Sequence, residues 1–97
     1  MAKLKCYISG KITGIDNYEQ LFSDAEKYLL SKGYEVINPV KLNHNHDKSW
    51  ESYMKADLKA LLDCDAIYML KNWHSSKGAI IEKTLAYQLG IQIINEK

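Results

Sequence analysis

Residues 65–90 have the sequence DAIYMLKNWHSSKGAIIEKTLAYQLG, and this stretch decides the fold class. It begins with a continuous apolar run, Ala66 to Leu70, which is typical of a strand buried on both faces of a sheet. A short polar turn follows, and the segment from Gly78 to Leu89 then has apolar residues at helical spacing, ended by Gly90. A buried strand followed by a helix is the repeating unit of α/β folds with a parallel sheet.

The rest of the chain repeats this alternation of strands and helices. We predict strands over 4–9, 34–37, 65–70 and 91–94, and helices over 17–32, 50–62 and 78–89. Asp16 and Glu19 have the spacing of a capping box at the start of the first helix, and Ser49 can cap the second. We therefore predict a single domain over residues 1–97 with three layers, in which a four-stranded parallel sheet has helices on both faces.

The composition excludes several classes of protein. A net charge of +1 over 97 residues argues against binding to a nucleic acid polymer, because such binding needs clustered Lys and Arg. No apolar run approaches the ~20 residues of a membrane span, and the amino terminus lacks the apolar core of a signal peptide. We therefore expect a cytoplasmic protein that does not bind membranes. Because a domain this small buries a modest fraction of its surface, we also expect a homo-oligomer, a dimer or higher.

Two residue patterns suggest thiol or metal chemistry, but neither is specific. Cys6 lies inside a predicted strand and Cys64 just before another, and we expect both to be reduced, buried thiols. His44 and His46 lie in a polar segment without further His or Cys at ligand spacing. We expect a solvated loop there and no metal site.

Two carboxylates occupy helical faces that are otherwise apolar. Asp57 lies three residues after Met54 in the core-facing row of the second helix, the alternative being an exposed position at the margin of that row. For Glu82, the alternative is a partly wet position at the edge of a neighbouring Ile/Leu stripe. Because unpaired buried charge is costly, the two together indicate a functional pair, suited to attack at a sugar anomeric carbon. The face of Glu82 is shared by Ala79, Ala86 and Leu89.

Two polar segments follow predicted strands, at the edge of the sheet where parallel α/β folds bind ligands. In the loop 9–14, Gly10 lets backbone amides approach a ligand and Lys11 favours a phosphate, although a plain turn is the favoured alternative. In the segment 75–78, a serine can cap the following helix, whose free amides can also bind an anion. Two aromatic residues either line a base pocket or pack in the core or at its rim: Tyr7 and Trp73.

The order and spacing of these pieces resemble the nucleoside 2-deoxyribosyltransferase superfamily, and most closely a small branch found in phages and bacteria. The resemblance spans nearly the whole chain, although a proline often stands in that branch at the position of Lys11. The matching stretches are Tyr7–Gly10 with Thr13–Gly14, Asn38–Pro39, Asp57–Leu58 before Cys64–Ala66, and Trp73 through Ser76–Ala79 to Glu82, followed by Ala86 and Gly90.

The resemblance implies a Rossmann-like (flavodoxin-like) fold and cleavage or transfer at the N-glycosidic bond of a nucleoside or nucleoside 5′-monophosphate, without a cofactor. Glu82 matches the family's nucleophilic glutamate. Asp57 matches an aspartate that assists proton transfer at the leaving base, and Tyr7 matches an aromatic residue near the glutamate. Positions that surround the sugar or the 5′-phosphate in nucleotide-hydrolysing relatives are matched by Ser9, Gly10, Ser76 and Gly78. We predict that Lys11 and Trp73 also contact the substrate.

Two other functions stay open on the sequence. A non-catalytic module that senses or sequesters a nucleotide would keep the loop and helix amides without needing Glu82 for chemistry. A structural or interaction domain would bind no nucleotide. Full transferases are usually longer, and their carboxyl-terminal segment helps to complete a neighbour's site, whereas this chain ends at Lys97 directly after its last predicted strand. The base selectivity of the family is therefore not carried over to it.

Overall fold

A computed structural model describes residues 3–42 and 49–97, and over these residues it contains four strands and three α-helices. Two short 3-10 turns, Pro39–Lys41 and Trp73–Ser75, follow the second and third strands. The predicted α/β alternation is confirmed. The elements are β1 (Lys5–Ser9), α1 (Tyr18–Ser31), β2 (Glu35–Ile37), α2 (Trp50–Leu62), β3 (Ala66–Met69), α3 (Lys77–Gln88) and β4 (Gln92–Asn95).

The four strands form one parallel sheet with the order β2-β1-β3-β4. Strand β1 is central, and its residue Tyr7 is paired with Ile67 of β3. Alternate residues of a strand point to opposite faces, and β1 follows this rule. Its residues Cys6 and Ile8 pack against α1, while Tyr7 packs against residues of α2 and α3. The sheet therefore has helices on both faces, as predicted, and α2 and α3 share the face towards which Tyr7 points.

Of the two helix caps predicted from the sequence, one is observed and the other is not. Ser49 caps α2, because its Oγ accepts a hydrogen bond from the Ser52 amide at 3.2 Å. The predicted capping box at α1 is wrong. The helix is preceded by Asn17, which makes no side-chain cap bond, and the Tyr18 amide instead donates to the Ile15 carbonyl at 3.3 Å. A backbone turn thus satisfies the amide that opens the helix, and Asp16 lies outside the capping position.

The structure also bears on the expectations for the cysteines, the histidines and membrane-spanning helices. Cys6 and Cys64 are buried free thiols, as expected. His44 and His46 lie outside the described residues. Within the ranges 3–42 and 49–97, no helix is long and apolar enough to cross a membrane.

Candidate active site

Glu82 lies on the buried face of α3 and is 5% exposed. Its face is otherwise formed by small residues, since Ala79 and Ala86 are also buried, whereas the larger Ile80 and Ile81 are 42% and 37% exposed. The alternative of a partly wet Glu82 at the edge of a buried Ile/Leu stripe is therefore wrong. Leu89 was expected on this face, and that expectation is wrong, because Leu89 follows the end of α3 and is 55% exposed.

Two hydroxyl groups of β1 hold the Glu82 carboxylate. Tyr7 Oη donates to Glu82 Oε2 at 2.6 Å, and Ser9 Oγ donates to Glu82 Oε1 at 2.6 Å. Both donors are buried and lie two residues apart, so the pleat of the strand directs them to the same face. The two short bonds orient the carboxylate from the side of the sheet and satisfy a charge that would otherwise be buried at high cost.

Burial and these hydrogen bonds have opposite effects on the acidity of Glu82. The net pKa of Glu82 is raised from 4.5 to about 7, because burial and, to a lesser extent, the negative charge of Asp57 raise it more than the bonds from Ser9 and Tyr7 lower it. The pKa of the Tyr7 hydroxyl is raised well above 10, first by burial and then by the charge of Glu82. Tyr7 therefore stays protonated and remains a hydrogen-bond donor at neutral pH.

Asp57 lies on α2 beside a cleft that Glu82 also lines. Burial raises the pKa of Asp57 from 3.8 to about 7, so this carboxyl group exchanges a proton in the neutral range. Its neighbour one turn earlier, Met54, is buried. The two acids belong to different helices and are 25 residues apart in the sequence, yet both reach the same cavity. A pair of titratable groups with separate environments is typical of sites that perform acid–base chemistry.

The cleft has a volume of about 750 Å³ and opens beyond the carboxyl ends of β1 and β3. Five of the predicted site residues line it, and four do not. Tyr7 and Ser9 lie behind Glu82, Gly10 packs against Leu70, and Trp73 packs against the hydrophobic cluster under α3. The predicted residues in the lining are Lys11, Asp57, Ser76, Gly78 and Glu82.

Several lining residues were not predicted to be part of the site. On α2, Trp50 and Tyr53 precede Asp57 by seven and four residues and line the cleft with it. Their helical spacing was visible in the sequence, but an apolar stripe indicates core packing and a cleft wall equally well. Lys77 also lines the cleft, and its Nζ lies 4.6 Å from the centroid of the Trp50 ring, as in a cation–π contact. The cleft thus combines two acids with aromatic and cationic groups.

The first turn of α3 forms one wall of the cleft. Ser76 caps the helix, since its Oγ accepts from the Ala79 amide at 3.2 Å. Gly78 follows, and a Cβ added to it would lie 2.9 Å from Met54 Sδ, so glycine allows α3 to approach α2 closely. This approach brings the two acid-bearing helices together. Nowhere in the described ranges do three His, Cys, Asp or Glu side chains form a group that could hold a metal ion.

Comparisons with known proteins agree with this fold. The family model described as "Domain of unknown function (DUF4406)" matches residues 4–95. No curated protein sequence matches the chain. Among solved structures, the 2-deoxyribosyltransferase of the psychrotolerant bacterium Bacillus psychrosaccharolyticus superposes with a TM-score of 0.72 at 22% identity, over 94% of this chain and 70% of that one. That enzyme is described as a biocatalyst for the synthesis of antiviral and antitumoral nucleosides. The similarity confirms the predicted Rossmann-like α/β fold.

Proposed function

The chain belongs to the DUF4406 family, whose description assigns no chemistry, and we propose from the cleft that it cleaves or transfers at the N-glycosidic bond of a nucleoside or nucleoside 5′-monophosphate. One observation carries this proposal. A buried carboxylate, Glu82, lines a cleft while two hydroxyls hold it from behind. The structural similarity to a 2-deoxyribosyltransferase supports nucleoside glycosyl transfer as the reaction class.

Glu82 acts as the nucleophile in the first step. One of its carboxylate oxygens bonds to C1′ of the sugar, and the C1′–N bond breaks with its electron pair passing to the base nitrogen. The transition state at C1′ has oxocarbenium character, so the negative charge of Glu82 stabilises it. A carboxylate that is 5% exposed is poorly solvated by water and is therefore well prepared for this attack.

Asp57 supplies the proton that the departing base needs. With a pKa of about 7, it is partly protonated at neutral pH and can donate to a base nitrogen. In the second step, water or a second base attacks C1′, its proton passes to Asp57, and the bond between C1′ and Glu82 breaks with its electrons returning to the carboxylate. The first acceptor gives hydrolysis and the second gives transfer.

Four further lining residues, two lysines and two aromatic residues, bind the substrate in this proposal. Lys11 and Lys77 provide positive charge at the cleft, and a 5′-phosphate would be attracted to it. Aromatic side chains stack on nucleobases, which is the role that we propose for Trp50 and Tyr53. Trp73 does not line the cleft but packs against the hydrophobic cluster under α3. We propose that it contributes to substrate binding indirectly, by supporting the residues of α3 that line the cleft.

The test is release of free base from a panel of ribonucleosides, deoxyribonucleosides and their 5′-monophosphates, with and without an acceptor base, followed by chromatography. Glu82→Gln should lower the rate by at least about 1000-fold, as removal of a nucleophile does. Glu51→Gln is the matched control, because Glu51 is an exposed carboxylate in the first turn of α2. Release from no member of the panel, or equal release by the Glu82 variant, would overturn the proposal.

A non-catalytic nucleotide-binding module is the second candidate, and one observation favours it. Both oxygens of Glu82 already accept short hydrogen bonds, which stabilise the ionised carboxylate and make it a weaker nucleophile. Calorimetry distinguishes the two functions. Tight binding of a nucleotide by both the wild type and Glu82→Gln, with no base released by either, would favour the binding module.

We also propose that the protein is a homo-oligomer. Exposed large apolar side chains on α3 support this, since Ile80, Ile81 and Tyr87 all lie at the surface of the single chain. Light scattering should give a mass at least twice the 11.2 kDa of the chain. A mass of one chain at micromolar concentration would contradict it.

A further inference from the structure

Two loops on neighbouring strands form part of the cleft wall. Residues 11–13 follow β1, and residues 75–78 follow β3 and open α3. The strands below them are joined tightly, because the Leu70 amide donates to the Ser9 carbonyl at 2.8 Å. Gly10 also packs against Leu70 so closely that an added Cβ would lie 2.6 Å from Leu70 Cδ1. The two loops therefore leave the sheet in contact with each other.

Asn72 joins the two loops. It precedes the 3-10 turn Trp73–Ser75, where an Asn side chain commonly caps its own turn, but here it makes no such bond. Its Oδ1 instead accepts a hydrogen bond from the Lys11 amide at 2.9 Å. The turn is closed by the Asn72 backbone carbonyl, which accepts from the Ser75 amide at 3.3 Å and from Ser75 Oγ at 3.0 Å. The side chain is thus available to hold the other loop.

We propose that Asn72 is a positioning residue that fixes the loop 11–13 against the β3–α3 turn before a ligand enters the cleft. Asn72 does not itself line the cleft among the described residues, so it acts through Lys11. Fixing a backbone residue in one conformation costs conformational entropy. A loop that is already fixed does not lose this entropy when the ligand binds, so affinity increases. The effect on substrate binding rests on the proposed function, whereas the effect on the loop does not.

Three variants separate this role from general destabilisation. Asn72→Ala removes the acceptor, and Asn72→Asp keeps an oxygen at the same position. Glu96→Ala is the matched control, because Glu96 Oε1 accepts from the amide of Lys71, the residue before Asn72, at 2.8 Å. Amide hydrogen exchange of the wild type and the variants is measured by NMR.

The Lys11 amide should exchange about tenfold faster in Asn72→Ala, as expected for loss of an ordinary hydrogen bond. It should keep wild-type protection in Asn72→Asp and in Glu96→Ala. Equal protection in the wild type and Asn72→Ala, or equal loss in Glu96→Ala, would overturn the proposal.

Kinetics with the best substrate of the panel then test the consequence for binding. KM should rise about tenfold in Asn72→Ala while kcat changes less than about twofold, because the loop affects binding and not the reacting carboxylate. A fall in kcat at constant KM would contradict a role in binding. If the wild type releases no base, the proposed function fails, yet the exchange experiment still decides the role of Asn72.

Discussion

Replacing Ser9 by Ala tests how the site controls the charge of its central carboxylate. The change removes the hydroxyl that donates to Glu82 Oε1 at 2.6 Å and leaves the Tyr7 bond to Oε2 in place. A hydrogen bond to a charged group contributes about 1.5–3 kcal/mol. One pKa unit corresponds to about 1.4 kcal/mol, so the loss amounts to about one to two units. Glu82 is 5% exposed, and screening by solvent therefore reduces this value little.

The direction of the pKa change depends on whether the hydrogen bond stabilises the ionised or the protonated form of Glu82. Ser9 donates to the ionised carboxylate, so its removal should raise the pKa of Glu82 from about 7 to about 8 or 9. Because attack needs ionised Glu82, the acid limb of the kcat/KM profile should move to higher pH by the same amount. At pH 7 the ionised fraction falls from about one half to between about one tenth and one hundredth, so kcat/KM should fall about five- to fiftyfold.

NMR measures the pKa directly. Protein labelled with ¹³C at the glutamate carboxyl carbon is titrated, and the Glu82 signal is assigned by its absence in Glu82→Gln. Ser23→Ala is the control, since Ser23 lies on α1 at the other face of the sheet. An unchanged or lowered pKa of Glu82 in Ser9→Ala would refute the argument that the Ser9 hydroxyl stabilises the anion.

Three further predictions concern the folded state. A raised pKa means that Glu82 contributes to folding stability below pH 4.5 and loses that contribution as the pH rises through about 7. Glu82→Gln should therefore increase the free energy of unfolding in urea by about 3 kcal/mol at pH 8 and by almost nothing near pH 4, and equal stability at pH 8 would contradict this. Gly10→Ala should decrease the free energy of unfolding by about 1–3 kcal/mol, because its Cβ would overlap the Leu70 side chain, and an unchanged Tm would rule that out. Burial raises the pKa of Cys6 to about 12 and that of Cys64 to about 11, so neither thiol should react with a disulfide reagent at pH 8 until the protein is unfolded. Rapid labelling of the native protein would disprove the last expectation.

Local patterns predicted the elements of this fold better than their ends. The continuous run of β3 is buried at all four of its residues, and alternation with helices correctly indicated a parallel sheet. The residue pattern alone does not give the strand order, because pairing between distant segments depends on tertiary packing. The flavodoxin-like fold implied by the resemblance does have the observed order β2-β1-β3-β4. The capping box at Asp16 is wrong because α1 begins after Asn17, and a backbone turn from Ile15 satisfies the Tyr18 amide. Residue spacing does not show this backbone turn.

Residue spacing predicted the site residues only where it determines the face of a helix on which a residue lies. Helical spacing correctly placed Glu82 among small buried residues. Tyr7 and Ser9 alternate in the sequence, but nothing in that alternation indicates which helix covers their face. The resemblance associated Ser9 with the sugar or phosphate, whereas its hydroxyl contacts Glu82. The aromatic residue Trp50 lines the cleft, but its position in the sequence could not show this, because periodicity does not distinguish a core from the wall of a cleft.

The most direct test of the central claim is a search for a covalent bond between the sugar and Glu82. The best substrate is mixed with the protein, the reaction is quenched with acid within one turnover, and the digested protein is analysed by mass spectrometry. The account predicts a peptide containing Glu82 whose mass is increased by that of the sugar residue, and no such peptide from Glu82→Gln. Base release at full rate with the sugar attached to a different residue, or to none under any quench time, would contradict it.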